Sequence, residues 1–446
     1  MRKRVAIIGG GFSGLAAAVA LSGRGHEVLL LERRDHLGGR AYSFIDSTTG
    51  DVVDNGQHLF MGCYHHTLAF LEKIGCQDKL RFQESVRVDF LDREIGSIKF
   101  DCPPLPAPMH LMAGLFKMKG LTLADKLRAL NVGREIRGSR KTSQNAGQIH
   151  RTVAQWLDDL NQSNRIRQRF WYPLAIATVN ESPEIASAEM VKRVLREAFG
   201  RDRASASIGI ARVGLSDLYT GGACAYIRSR GGHVRTGAQV RKLVIERGRA
   251  VAAELGNGQK IEADYFISAV PQFSLLDMLQ DELRDREFAH VALLGSSPIV
   301  SINLWFDRRI IDREFVGLLG TRIQWLFNKD SIISNGKQSH QIALIISAAR
   351  NFVDWAKPAL VEMALAELRE LVPESRSARL LHSVIVKERH ATLAHTVDSD
   401  RLRPGTRTSI QNFVLAGDWT DTGLPATIES AVVSGETAAR IIDPEI

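Results

Sequence analysis

Arg4-Val5-Ala6-Ile7-Ile8-Gly9-Gly10-Gly11-Phe12-Ser13-Gly14 is a short apolar run that leads into a glycine-rich turn, and an alanine-rich segment, Leu15 to Ser22, follows it. This order predicts a strand, a tight turn and a helix. Gly9 allows the turn, Gly11 lets the backbone approach a pyrophosphate, and Gly14 lets the helix lie close to the strand. The helix N-terminus offers free N–H groups and a positive dipole end. The stretch therefore predicts a dinucleotide site in a Rossmann-type α/β domain, with Phe12 and Ser13 among its contacts.

An acidic residue supports this interpretation. A second predicted strand, Glu27 to Leu31, ends at Glu32, eighteen positions after Gly14. A carboxylate at this place accepts hydrogen bonds from a ribose 2′-hydroxyl and disfavours a 2′-phosphate. We expect Glu32 and the neighbouring Arg33 to contact the adenosine part of the ligand.

Two further motifs point to the kind of dinucleotide. Leu37-Gly38-Gly39-Arg40 resembles the second dinucleotide motif of the FAD-dependent amine oxidase and carotenoid desaturase superfamily. Near the C-terminus, a predicted buried strand from Asn412 ends in Gly417-Asp418, and Pro425-Ala426-Thr427 is typical of a helix start. The resemblance implies non-covalent FAD, with contacts from Gly38, Gly39, Arg40, Gly417, Asp418, Ala426 and Thr427, and with the backbone of Val240 against the adenine.

The positions of these motifs predict a discontinuous FAD-binding domain. We expect it to comprise residues 1–92, 215–290 and 405–446, because all the motifs fall there. The two insertions, 93–214 and 291–404, would form an α+β substrate domain. The first insertion is expected to be mainly helical, and the second to contain strands at Ile299–Phe306, Ile342–Ser347 and Ser383–Lys387.

The inserted segments also suggest an apolar substrate. Aromatic residues cluster in them, which suits a long channel against a flavin, although ordinary core is the alternative for each one: Trp156, Phe170, Trp171, Tyr172, Trp305, Phe306, Trp325 and Phe327. Ser296 to Phe306 resembles the strand that carries a flavin-facing lysine in amine oxidases, but it contains no lysine. Amine oxidation is therefore disfavoured.

Charge and composition restrict the partners. The formal net charge is +8, and the four cysteines are scattered without metal-type spacing, so we expect neither a metal site nor a disulfide scaffold. No nucleic-acid motif accompanies the positive charge. Residues 103–141 join proline-broken apolar sequence to a cluster of lysines and arginines that includes Arg140 and Lys141. A solvated helix is one interpretation; the other, which we favour, is a cytoplasmic protein peripherally attached by this segment to the anionic inner face of the cell membrane.

A more specific resemblance covers nearly the whole chain. Val53-Asp54-Asn55-Gly56-Gln57-His58-Leu59-Phe60-Met61-Gly62-Cys63-Tyr64 is similar to the signature of the squalene-associated FAD-dependent desaturases, also known as hydroxysqualene dehydroxylases. This resemblance implies that reduced FAD removes the hydroxyl of hydroxysqualene to give squalene. It places Asn55, Gly56, Gln57 and His58 at the flavin, and it suggests His58 or Asp54 as the proton donor, with Glu184 a weaker candidate.

Other functions stay open at this stage. A carotenoid or phytoene-type desaturase would use the same FAD to oxidise an apolar polyene precursor. A non-enzymatic lipid escort built on the same fold is a third possibility, disfavoured by the intact Glu32 and Gly417-Asp418. The sequence does not indicate the electron donor.

Overall fold

The computed structural model describes residues 1–138, 150–200, 202–333 and 337–446. Its strands are β1 Arg4–Ile8, β2 Glu27–Leu31, β3 Ser43–Ile45, β4 Val52–Asp54, β5 Leu59–Met61, β6 Leu80–Phe82, β7 Arg87–Asp92, β8 Gly96–Asp101, β9 Ile208–Ala211, β10 His233–Arg235, β11 Val240–Glu246, β12 Arg249–Leu255, β13 Lys260–Glu262, β14 Tyr265–Ser268, β15 Ser296–Phe306, β16 Phe315–Leu319, β17 Trp325–Asn328, β18 Gln341–Ile346, β19 Leu380–Leu393 and β20 Phe413–Leu415.

The helices lie between these strands. They are α1 Phe12–Gly23, α2 His65–Lys73, α3 Met109–Lys117, α4 Leu123–Gly138, α5 Val153–Asp159, α6 Asn164–Ile166, α7 Tyr172–Val179, α8 Ala188–Phe199, α9 Leu215–Ser229, α10 Gln272–Met278, α11 Asp281–Glu287, α12 Ala289–Ala292, α13 Lys329–Ile332, α14 Lys357–Leu371, α15 Ser399–Leu402 and α16 Ile428–Ile442. Throughout the described residues, every helix is too short or too polar to cross a membrane.

A five-stranded parallel sheet forms the nucleotide-binding lobe, in the order β10-β2-β1-β14-β20. Its strands come from the beginning, middle and end of the chain. Alternate residues of β1 face opposite sides: Val5 and Ile7 contact the core under α1, α9 and α16, whereas Ala6 and Ile8 contact the core shared with β11, β12 and α10. Burial on both faces explains why this strand is apolar throughout.

A seven-stranded sheet, in the order β19-β15-β18-β17-β16-β7-β8, forms the second lobe. All its neighbouring strands are antiparallel except β16 and β7. One face packs against α14, and the other packs against the helical insertion around Trp156 and Trp171. The mixed sheet and the helices confirm the α/β class with an α+β second lobe.

The boundaries of several elements differ from the predicted ones. Strand β7 pairs within the seven-stranded sheet, so that sheet begins on the N-terminal side of the division placed at residue 92. Strands β15, β18 and β19 occur where they were expected, and β19 extends far beyond the expected residues 383–387. Strands β16 and β17, only five and four residues long, were not predicted.

Candidate active site

A cavity of about 750 Å³ opens at the carboxyl ends of the parallel strands and continues to the seven-stranded sheet. Ligands of open parallel sheets bind at this edge. The cavity lining includes nearly all the residues expected to hold the cofactor: Gly9, Gly11, Phe12, Ser13, Glu32, Arg33, Gly38, Gly39, Arg40, Gly56, Gln57, His58, Val240, Gly417, Asp418, Ala426 and Thr427. Gly14 and Asn55 support the lining from behind, as described below.

The glycine turn after β1 leaves the start of α1 open to the cavity. Gly9 has φ +108°, a conformation that side chains disfavour. A Cβ on Gly14 would lie 1.9 Å from Gly9 O, so only glycine allows α1 to lie this close to the turn. Gly11 is the N-cap residue of α1 and brings no side-chain cap, so N–H groups of the first turn remain available. This arrangement fits the pyrophosphate of a dinucleotide.

Glu32 has a second role besides facing the cavity. Its Oε2 accepts a hydrogen bond from Gly10 N at 2.8 Å, and its Oε1 accepts one from Arg34 N at 2.9 Å. The carboxylate is 6% exposed. Glu32 therefore fixes the glycine turn and still presents oxygen lone pairs to the cavity, where they could accept hydrogen bonds from a ribose.

Arg40 joins three parts of the site. Its guanidinium forms an ion pair with the buried Asp418 and donates to Ala391 O at 3.0 Å. Asn55 Nδ2 donates to Arg40 O at 2.9 Å and to Glu388 Oε2 at 3.3 Å. Asn55 thus supports the arginine and does not face the cavity itself.

Tyr219, on α9, holds the second glycine motif in place. Its single hydroxyl proton is shared between Gly38 O at 2.8 Å and Ala41 O at 3.0 Å, and its ring stacks on Phe12 with centroids 3.7 Å apart. Burial raises the pKa of this phenol, so it remains a donor. Tyr219 therefore connects the two glycine motifs.

The second helix at the cavity begins later than expected. Thr427 is the N-cap of α16, and its side chain accepts from Ser430 N, so the helix starts at Ile428 and not at Pro425. His395 Nε2 accepts from Ala426 N at 2.7 Å, and burial, reinforced by Arg403 and Arg193, lowers the pKa of this histidine to about 3. His395 therefore stays neutral and holds the loop through this hydrogen bond. No sequence motif indicated it.

Asp54 lies behind the cavity wall. Lys329 Nζ donates to Asp54 Oδ2 at 2.5 Å and to Gln57 Oε1 at 2.9 Å, and Asp54 Oδ1 accepts from Leu215 N at 3.0 Å. Both charged groups are at least 95% buried. The structure therefore gives Asp54 the role of binding Lys329 and the start of α9, and it does not bring this carboxylate into the cavity lining.

His58 is the expected proton donor that does face the cavity. Burial lowers its pKa below the ordinary value, Arg40 acts in the same direction, and the charge of Asp54 opposes both. The imidazole is thus mainly neutral at neutral pH. Glu184, the weaker candidate, is exposed and accepts from Ser182 Oγ, away from the cavity.

The seven-stranded sheet and α7 supply the apolar end of the cavity. Of the eight aromatic residues singled out in the insertions, Trp325 and Phe327 line it, together with Ile176, Ile299 and Ile345. The other six do not contribute to the lining; Trp156, Trp171 and Phe306 are buried in the cores, and Trp305 donates from its indole to Asp51. Asn180 and Thr392 add polar groups and are bonded to each other at 2.9 Å. This end suits a long apolar ligand with few polar atoms.

The sequence model described as "Flavin containing amine oxidoreductase" matches residues 12–443, and the chain belongs to this family. The parallel sheet with its open glycine turn, and the second sheet that completes the cavity, fit this assignment. The protein is a flavin-dependent oxidoreductase that uses FAD.

Individual proteins are also similar to the chain. Hydroxysqualene dehydroxylase of Rhodopseudomonas palustris is 30% identical to it, over 99% of both chains. The 15-cis-phytoene desaturase of Synechococcus elongatus is 26% identical, over 98% of this chain and 95% of its own. An oxidoreductase from Methanosarcina mazei has the same fold, with a TM-score of 0.75 and 19% identity over 97% of this chain and 99% of its own.

Proposed function

We propose that this protein removes the hydroxyl of hydroxysqualene reductively to give squalene, as needed for hopanoid or related terpenoid synthesis. The observation that carries the proposal is the full-length likeness, at 30% identity, to a hydroxysqualene dehydroxylase. A second protein of that name, from Sinorhizobium fredii, is 29% identical over 99% of this chain. The apolar wall around Trp325 and Phe327 supports an isoprenoid substrate.

The reaction requires one hydride and one proton. When bound and reduced, FAD would provide the hydride that replaces the oxygen on carbon. The hydroxyl leaves as water and therefore takes up a proton as its C–O bond breaks. We assign the donation of that proton to His58, because it alone among the three candidate side chains lines the cavity.

The remaining groups bind and orient. Gly11, Glu32 and Arg40 would hold the FAD, which we expect to be bound non-covalently. Trp325, Phe327 and Ile345 would exclude bulk water from the apolar substrate. The Asn180 amide donates to Thr392 Oγ1 and Ser297 O and accepts from Ala348 N, so it would tolerate an apolar chain beside it.

A carotenoid-type desaturase is the alternative. It is supported by the full-length likeness to 15-cis-phytoene desaturases, although their sequence identity to this chain is lower than that of the hydroxysqualene dehydroxylases. Family membership favours either enzyme over a lipid escort.

Anaerobic incubation with dithionite-reduced protein distinguishes the two enzymes. Hydroxysqualene should yield squalene by lipid chromatography, and phytoene with the oxidised protein should remain unchanged. Desaturated phytoene, with no squalene from hydroxysqualene, would transfer the assignment to the desaturase.

We further propose that the surface of α3 and α4 lies against anionic lipid at the inner face of the cell membrane. Four large apolar side chains are exposed there: Met109, Phe116, Leu123 and Leu127. Lys117, Lys119 and Arg128 are exposed among them. Arg140 and Lys141, also part of the expected basic segment, lie outside the described residues. Such surfaces bind by apolar insertion together with charge attraction.

A further inference from the structure

Lys329 is a buried cation that no motif in the sequence singled out. It is 3% exposed and lies two positions beyond Phe327, at the start of α13. A buried ammonium is costly unless it is paired, and Asp54 supplies the opposite charge at 2.5 Å. That ion pair balances the charge of the Lys329 ammonium, but it does not explain why the ammonium also contacts Gln57.

The contact fixes the orientation of the Gln57 amide. An ammonium group can only donate hydrogen bonds, so the atom 2.9 Å from Lys329 Nζ must be the amide oxygen. The NH₂ group therefore points the other way. Gln57 lines the cavity, and among the residues described in the structure no hydrogen-bond acceptor is bonded to its Nε2.

The neighbouring residues hold the backbone of this segment. Asp54 binds Leu215 N, and Asn55 N donates to Tyr42 O at 2.9 Å while its side chain bonds to Arg40 O. Gly56 and His58 line the cavity on either side of Gln57. Because the backbone is held and the amide oxygen is fixed by Lys329, the NH₂ group of Gln57 can point in only one direction.

We propose that Lys329 is a positioning residue which holds Gln57 so that the amide NH₂ donates a hydrogen bond to a carbonyl oxygen or to N1 of the ring of bound flavin. Reduction adds electron density to these acceptors, whereas N5 takes up hydrogen and ceases to accept. A fixed N–H donor to a carbonyl oxygen or N1 therefore stabilises the reduced form more than the oxidised form and raises the midpoint potential. The proposal requires bound FAD but no particular isoprenoid.

The test is the midpoint potential of the FAD-loaded protein, measured anaerobically without any isoprenoid. Gln57→Met should bind FAD and shift the potential downwards by about 30 mV, the equivalent of a tenfold weaker preference for the reduced form. Lys329→Met should cause a similar shift, and the double variant should shift less than the sum of the two. Lys329→Arg retains a side chain that can only donate hydrogen bonds, so its midpoint potential should stay close to that of the native protein.

Two further variants keep the test decisive. If Lys329→Met does not fold because Asp54 is left unpaired, the neutral pair Asp54→Asn with Lys329→Met replaces it. Lys192→Met is the matched control, because Lys192 is equally buried and is paired with Glu189, away from the cavity. It should leave the potential unchanged.

An unchanged potential in Gln57→Met would overturn the proposal, as would additive shifts in the double variant. A normal potential combined with slow turnover of hydroxysqualene would also overturn it, because the donor would then face the substrate. Since no substrate is present in the measurement, a protein that proved to be a desaturase would still give the expected shift.

Discussion

The carboxylate of Asp54 is bonded to the ammonium of Lys329, although 275 positions separate them in the chain. Asp54 ends β4, and Lys329 follows β17 of the seven-stranded sheet. The same carboxylate accepts from Leu215 N, at the start of α9. One buried ion pair thus joins the two lobes directly behind the residues that face the cavity.

We expect this pair to contribute strongly to stability. Asp54→Ala should lower the free energy of unfolding by about 3–5 kcal/mol, because it leaves a buried ammonium without a partner. Urea unfolding followed by circular dichroism measures the change. Asp354→Ala is the control: its ion pair with Arg389 is exposed and should be worth less than about 1 kcal/mol. Equal losses in both variants would contradict the structural role of Asp54.

Removal of the Glu32 carboxylate should weaken FAD binding. Glu32→Ala removes charge-assisted hydrogen bonds that are worth about 1.5–3 kcal/mol, both to the ribose and to Gly10 N. The dissociation constant of FAD, from flavin fluorescence on titration of apoprotein, should rise accordingly. Glu27→Ala, which removes an exposed carboxylate at the start of β2, should bind FAD normally. Full retention of FAD by Glu32→Ala at low concentration would oppose the assignment.

Gly14 should tolerate no side chain. In Gly14→Ala the new Cβ would meet Gly9 O at 1.9 Å, so the turn must move and FAD should be lost. Gly133→Ala is the matched control, because a Cβ at this position in α4 meets nothing within 4 Å. The absorbance ratio of flavin to protein after gel filtration should fall only for Gly14→Ala; normal loading there would disprove the close approach.

The proton donor can be tested by its pH dependence. The pKa of His58 is lowered, so its protonated fraction falls as pH rises through a value below the ordinary 6.5. If His58 donates the proton, kcat/KM for hydroxysqualene should be highest below that value and decrease above it. His58→Ala should abolish this decrease of kcat/KM with rising pH and lower the rate by about 10²–10⁴-fold while FAD stays bound. His233→Ala, an exposed histidine, should leave the profile unchanged. An unaltered profile in His58→Ala would exclude the acid role.

Membrane binding should depend on the α3 and α4 surface. Lys117→Glu with Lys119→Glu should reduce sedimentation with phosphatidylglycerol vesicles, and high salt should have a similar effect on the native protein. Lys242→Glu with Lys260→Glu makes the same charge change at exposed positions of the β11–β13 sheet. If both variants lose binding equally, the attraction comes from overall charge and not from this surface.

The nucleotide-binding half of the site was predictable because local sequence determines it. The turn from Gly9 to Gly14 and the carboxylate of Glu32 belong to one strand-turn-helix-strand unit, whose geometry is set by residues close in the chain. The strands β1 and β2 begin and end where they were expected.

The substrate half was less predictable because long-range contacts form it. Trp325 faces the cavity and Trp156 faces the core, yet both stand in the same local sequence, between a glutamine and a leucine. Lys329 was missed because its partners precede it by more than 270 positions, and a single lysine has no motif. Asp54 was expected at the flavin on resemblance alone, and only the contact with Lys329 reveals where its carboxylate points.

The parallel sheet also imposes an order of events during synthesis. Helix α1 is buried along nearly its whole length, and α16 is the helix that covers much of it. Strand β20 occupies the edge of the sheet next to β14. Because a ribosome makes the chain from its N-terminus, β2 and α9 can pack against α1 early, but the part of α1 that lies against α16 stays exposed until α16, more than four hundred positions further on, has emerged. That part of α1 must therefore be protected from aggregation while the residues between the two helices are synthesised.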